Sequence, residues 1–124
     1  MRANPALTSG GVALLLLLVA GCSGTADHPV PGGDAARGEV LLFAFGCSAC
    51  HIIPGVVGAT ETIGPPLEGF GRRVYIAGRL PNRPENLLRW IQDPQGMEPG
   101  TAMPNLPMSD DEARHIAAYL YTLK

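Results

Sequence analysis

The chain has 124 residues, nine of them basic and eleven acidic, for a formal net charge of −2. That length allows one small domain. The balance of charge leaves no basic stripe interleaved with aromatics for a phosphate backbone, so nucleic acid is excluded as a partner.

The first element is a leader. Arg2 precedes an uncharged stretch whose apolar centre, Val12 to Ala20, reads VALLLLLVA. That run is too short for a membrane span, which needs about 20 residues. A basic start, a short apolar run and a small-residue stop predict an export signal over residues 1–21. The stop Val19-Ala20-Gly21-Cys22 resembles a bacterial lipobox, which implies that Cys22 carries the lipid anchor of the mature protein on the periplasmic side of a bacterial membrane. Without Arg2, eight basic residues face eleven acidic ones, a net charge of about −3. Residues 22–33, rich in Pro and Gly and containing His28, form a flexible tether, and the domain proper is expected over residues 34–124.

Asp34 is placed to cap a helix running from Ala35 to Phe45, with Val40, Phe43, Ala44 and Cys47 at helical spacing on its packed face. A second helix is expected at Pro84 to Gln92, opened by Pro84 and Glu85 and stopped by Pro94, with Leu87, Trp90 and Ile91 as its buried stripe. The third begins at the capping box Ser109-Asp110-Asp111-Glu112, with Met108 and Ala113 as a staple and Ile116, Leu120 and Leu123 on one face. His115 falls in this helix and is expected at the surface. No alternating strand pattern appears, so the class is all-α. Two long Gly/Pro-rich connections, Ile52 to Arg83 and Pro94 to Pro107, are unusual for a small helical domain. Seven aromatic residues in the chain leave a thin protein-only core, so an apolar group is expected at the centre with the loops wrapped around it.

The chemistry concentrates in Cys47-Ser48-Ala49-Cys50-His51. A structural zinc site lacks its second cysteine pair. A thioredoxin-like dithiol lacks its βαβ setting. The remaining reading is covalent haem: each thiol adds to a vinyl group, and the adjoining histidine lies under the iron.

This motif, with Leu80-Pro81-Asn82, Pro84-Glu85-Asn86-Leu87 and Ala117-Ala118-Tyr119-Leu120, resembles the class I c-type cytochromes over Asp34 to Lys124. It is similar in particular to the cytochrome domain fused to subunit II of some bacterial haem-copper oxidases. The resemblance implies three main helices with long loops around one haem c, bonded through Cys47 and Cys50 and ligated by His51. Pro99-Gly100-Thr101-Ala102-Met103-Pro104 looks like the family's ligand loop, which makes Met103 the sixth ligand. A neutral thioether favours ferrous iron and raises the potential relative to two histidines. Met97 has no motif around it and is expected to pack.

The resemblance further implies that the Pro65 carbonyl accepts the His51 Nδ1 proton, that Trp90 lines the haem pocket on the methionine side, and that Gly38 and Tyr119 mark a close crossing of the first and last helices. Arg72 and Arg73 are read either as propionate partners or as a solvated pair. The implied activity is one-electron transfer with redox protein partners, an oxidase or a dehydrogenase; the protein would act as a carrier or as part of an oxidoreductase complex, not as an enzyme by itself. The competing reading is a gas-binding sensor with a labile sixth ligand. One departure stands out: the sole lysine is Lys124, so no lysine collar rings the haem edge, and the arginines between Arg72 and Arg89 are the available substitute for steering.

Overall fold

The structure, a computed structural model, describes residues 30–124. The expected leader, Cys22 and His28 lie outside the described residues. Helix α1 spans Ala35–Ala44. The Asp34 carboxylate accepts from the backbone N–H groups of Ala36 and Arg37 at 2.9 and 3.1 Å, satisfying donors that the first helical turn leaves without partners. The helix stops at Phe45, and Gly46 follows in the left-handed region at φ 74°, with its N–H donating back to the Phe43 carbonyl at 3.0 Å. This αL stop, suited to a residue without Cβ, turns the chain into the 3-10 turn Cys47–Ala49 that carries the cysteine pair.

The packed face of α1 differs from the expected one. Gly38 and Leu42 are buried, whereas Val40 and Phe43 are 68% and 62% exposed. The last turns of α1 are apolar all round, so periodicity alone does not choose a face. The choice is made by Gly38: a Cβ there would run into the His115 carbonyl and lie 2.9 Å from the Tyr119 Cβ. The backbone of α1 therefore crosses α4, Asp110–Thr122, at the one position where no side chain keeps them apart.

Helix α4 opens with the anticipated capping box. The Ser109 N–H donates to the Glu112 carboxylate at 2.8 Å, and the Glu112 N–H donates to the Ser109 hydroxyl at 3.3 Å. Ala113, Ile116, Ala117, Leu120 and Tyr121 are buried, and so is His115, only 3% exposed. The expectation of a surface histidine fails because this ring packs at the crossing with α1 and finds polar partners there.

Helix α2, Pro84–Gln92, buries Leu87 and Ile91. Pro94 closes it as expected but also opens a short helix, α3, Pro94–Met97, in which the Asp93 carboxylate accepts from the Gly96 N–H at 2.9 Å. The described residues thus hold four α-helices, not three. They also hold a two-stranded antiparallel ribbon, β1 Tyr75–Ile76 and β2 Leu80–Pro81, so the architecture is helical without being strictly all-α. Strands of two residues are too short to show alternation.

The long connections are tied down by hydrogen bonds. Asn82 donates to the carbonyls of Phe70 and Arg73, both at 3.0 Å, and its side-chain oxygen accepts from the Tyr121 hydroxyl at 3.0 Å. Gly71 N–H donates to Leu123 O at 2.7 Å, and Tyr119 donates to Pro54 O at 2.6 Å. These bonds fasten the first long loop to α4 and to Leu123 just after it.

Candidate functional site

Leu42, Phe70, Leu87, Ile91, Ile116 and Leu120 form the walls of a cavity of about 450 Å³ at the centre of the fold. Its volume lies in the range of small-molecule and cofactor pockets, about 300–1,000 Å³. Cys47, Cys50 and His51 line one part of it, and Met103, Trp90 and Pro65 line it as well. All six residues expected to contact the cofactor within the domain therefore meet at one cavity, although they span more than fifty positions of sequence.

The histidine is held from two sides. Its N–H donates to the Cys47 carbonyl at 3.0 Å, continuing the turn that carries the cysteines. Gly64 N–H donates to Cys50 O at 2.6 Å and Leu67 N–H to Ile52 O at 2.8 Å, laying residues 64 to 67 alongside the motif. This placement puts the Pro65 carbonyl 2.7 Å from His51 Nδ1. A carbonyl only accepts, so Nδ1 carries the proton and Nε2 keeps its lone pair. The same tautomer is required of an imidazole that binds a metal through Nε2. Gly64 stands directly against the ring, and an added Cβ would meet the imidazole.

Burial pushes the Cys47 thiol up to about 11, with the nearby Cys50 adding in the same direction against a backbone hydrogen bond. A thiol so protonated is a poor redox nucleophile. Among the described residues no group of three or more His, Cys, Asp or Glu side chains is assembled to hold a metal ion. The raised thiol weighs against the dithiol reading, and the shortage of further ligands among the described residues weighs against the zinc reading. An apolar cavity with two thiols at its edge and one bare imidazole nitrogen fits a large, mostly apolar group held by side-chain bonds.

Of the two arginines, Arg73 lines the cavity and Arg72 does not. Arg73 donates to the carbonyls of Pro66 and Glu68 and lies 5.5 Å from the centre of the Phe70 ring, so it braces the segment that presents Pro65. Met97 is outside the main cavity, in a recess of about 80 Å³ beside Trp90. Met108 lines the main cavity with Met103. His115 is not on the cavity. Sequence reasoning missed Glu98, which lines the cavity and pairs with Arg79 at 2.8 Å, and Gln95, whose side chain bonds three backbone groups of the Met103 loop. Gln95 had one visible signal: a polar side chain between Pro94 and Gly96, immediately before the loop that carries Met103.

The family model for cytochrome c matches residues 35–124. The chain belongs to the cytochrome c family. This class I c-type cytochrome is 40% identical over 91 residues to cytochrome c oxidase subunit 2 of Alkalihalophilus pseudofirmus, covering 73% of the chain and 26% of the relative. It is 32% identical over 94 residues to the protein of the same name in Bacillus subtilis, covering 73% and 26%. The corresponding match in Bacillus sp. strain PS3 is 30% over 103 residues, covering 80% and 29%. The cytochrome thus spans less than a third of the length of these curated relatives. No helix among its described residues is long and apolar enough to cross a membrane.

Proposed function

We propose that this cytochrome is a one-electron carrier built on a single haem c, bonded covalently through Cys47 and Cys50 and ligated by His51 and Met103. The observation that carries the reading is the convergence of His51 and Met103 on one apolar cavity, with the imidazole tautomer fixed by the Pro65 carbonyl at 2.7 Å. When bound, the haem supplies an iron that alternates between ferrous and ferric states. The chain's own residues do the rest. Cys47 and Cys50 tether the ring edge, while Pro65 orients His51 and raises the basicity of Nε2. Trp90, Leu42, Phe70 and Ile116 keep water from the centre, and a rigid apolar pocket limits reorganisation between oxidation states.

The mature protein is read as residues 22–124, with Cys22 lipid-anchored on the outer side of a bacterial membrane, residues 22–33 as tether and 34–124 as the cytochrome domain. Its partners are redox proteins. The three relatives named as cytochrome c oxidase subunit 2 favour a respiratory oxidase over a dehydrogenase as the complex it serves or joins.

The test is an absorption spectrum of the periplasmically matured protein, reduced and oxidised, alongside Met103→Ala. The native protein is expected to show a covalent haem that survives denaturation and a weak sulfur-to-iron band when oxidised. Met103→Ala is expected to keep the haem and lose that band. Ready binding of carbon monoxide by the native ferrous protein at neutral pH would instead point to the gas-sensor reading.

A further inference from the structure

We propose that Gln95 is the positioning residue for Met103, an internal clasp that sets how firmly the loop offers its thioether to the iron. The proposal rests on the reading of Met103 as the sixth ligand. Its basis is the hydrogen bonding of one carboxamide. The Gln95 Nε2 donates to the carbonyls of Thr101 and Met103 at 2.6 and 2.8 Å, and its Oε1 accepts from the Gly100 N–H at 3.3 Å. Three backbone groups of the loop, one of them on Met103 itself, thus converge on a single partly buried side chain.

Apart from the side-chain bonds of Asn105, the loop has little else to hold it. Pro99, Pro104 and Pro107 have no N–H to give, and no regular structure covers residues 98 to 109. Its internal backbone bonds at the two ends are Thr101 N–H to Glu98 O at 3.1 Å and Met108 N–H to Leu106 O at 2.9 Å, which leave Met103 between them. The Arg79–Glu98 ion pair reaches the loop's start, but with Arg79 67% exposed it is screened by solvent and holds weakly.

Gln95 is itself fixed from behind. Its backbone N–H donates to Asn105 Oδ1 at 3.0 Å, and Asn105 Nδ2 donates to Asp93 Oδ1 at 2.7 Å. Asp93 also caps α3 through the Gly96 N–H. The chain Asp93, Asn105, Gln95 therefore closes the loop into a ring, with Met103 on the cavity side and the carboxamide inside.

The chemistry demanded of position 95 is specific. Two carbonyls need a donor and one N–H needs an acceptor, at one site and at that reach. Alanine supplies neither. Glutamate has the same shape, but when ionised it sets a charged oxygen against the two carbonyl oxygens. When protonated it donates to one carbonyl and accepts from Gly100.

The experiment measures carbon monoxide binding to the ferrous, haem-loaded protein for the native chain, Met103→Ala, Gln95→Ala and Gln95→Glu. Gln92→Ala is the control, because it removes a similar helix-end amide that bonds Asp110 at 2.8 Å instead. Apparent affinity scales with the population in which Met103 has left the iron. Loss of the clasp is expected to raise it at least about tenfold in Gln95→Ala, towards the ceiling set by Met103→Ala, with Gln92→Ala unchanged. For Gln95→Glu the gain is expected at neutral pH and to fall back towards the native value as the carboxyl is protonated; a merely structural defect would not follow that titration. Should Gln95→Ala fail to mature, Gln95→Glu alone decides. If Met103→Ala binds carbon monoxide no better than the native protein, the ligand assignment falls and the clasp with it. If Met103→Ala binds tightly while the Gln95 variants stay at the native level, the clasp alone is overturned.

Discussion

The backbone N–H of Asp34 donates to Nδ1 of His115 at 2.9 Å, across 81 positions of sequence. Nδ1 is therefore the unprotonated nitrogen, and Nε2 carries the hydrogen it shares with Asp111 at 3.2 Å. One buried ring joins the cap of the first helix to the first turns of the last, next to the glycine at which they cross. His115→Phe keeps the ring's bulk and removes both bonds. The stranded Asp34 N–H is expected to lower the unfolding free energy of the haem-loaded protein by about 1–3 kcal/mol, read from urea denaturation. The visible spectrum should not change, because His115 does not line the cavity. A changed spectrum would mean that the helix crossing governs the iron site directly.

The helix ends were legible because their determinants are local: Asp34, Pro84 and the Ser109–Glu112 box each act within one turn. The cysteine motif stood out for the same reason, its three side chains lying within five residues. Contacts made across the chain were legible only where the family resemblance supplied them, as for Gly38 against Tyr119 and the Pro65 carbonyl on His51; the others were not. Nothing near His115 announces the Asp34 N–H, and nothing near Asn82 announces that it will join Phe70, Arg73 and Tyr121. The outward turn of Val40 and Phe43 belongs to the same class: the face of α1 is chosen by where Gly38 permits approach, a property of α4 as much as of α1. The loops that looked structureless are ordered by side chains bonding to backbone, which leaves no periodic trace in sequence.

Gly64 tests the seat of His51. Its backbone is bonded to Cys50 at 2.6 Å, so it cannot retreat, and a Cβ added there would lie 2.7 Å from His51 Nδ1 and 2.9 Å from Nε2. Gly64→Ala must either swing the imidazole away from the Pro65 carbonyl or detach residues 64 to 67 from the motif. Overpacking of this kind costs about 1–3 kcal/mol. The expected result is a lower yield of haem-loaded protein and a lower urea midpoint, with an altered spectrum in whatever fraction matures. A native-like yield and spectrum would show that the imidazole position is set without the Gly64–Pro65 segment.

Tyr121 gives a prediction at alkaline pH. Burial, with Glu85 adding to it, pushes its phenol from the ordinary 10 up to about 12. Between those values the unfolded chain releases this proton while the folded protein keeps it, so stability falls as pH rises. The contribution is fully present below pH 10 and is lost towards pH 12. Tyr121→Phe keeps the ring against Phe70, whose centre lies 6.0 Å away, and removes the hydroxyl that bonds Asn82 at 3.0 Å. At pH 7 the variant should be less stable than the native protein by about 0.5–1.5 kcal/mol. On raising the pH from 10 to 12 that gap should narrow, because only the native protein carries the titrating group. Tyr119, also raised by burial and by Glu39, leaves the variant with a residual downward slope. Denaturant titrations of both proteins at pH 7, 10 and 11.5 measure the difference, and a gap that stayed constant or widened would mean the Tyr121 phenol titrates as an exposed group.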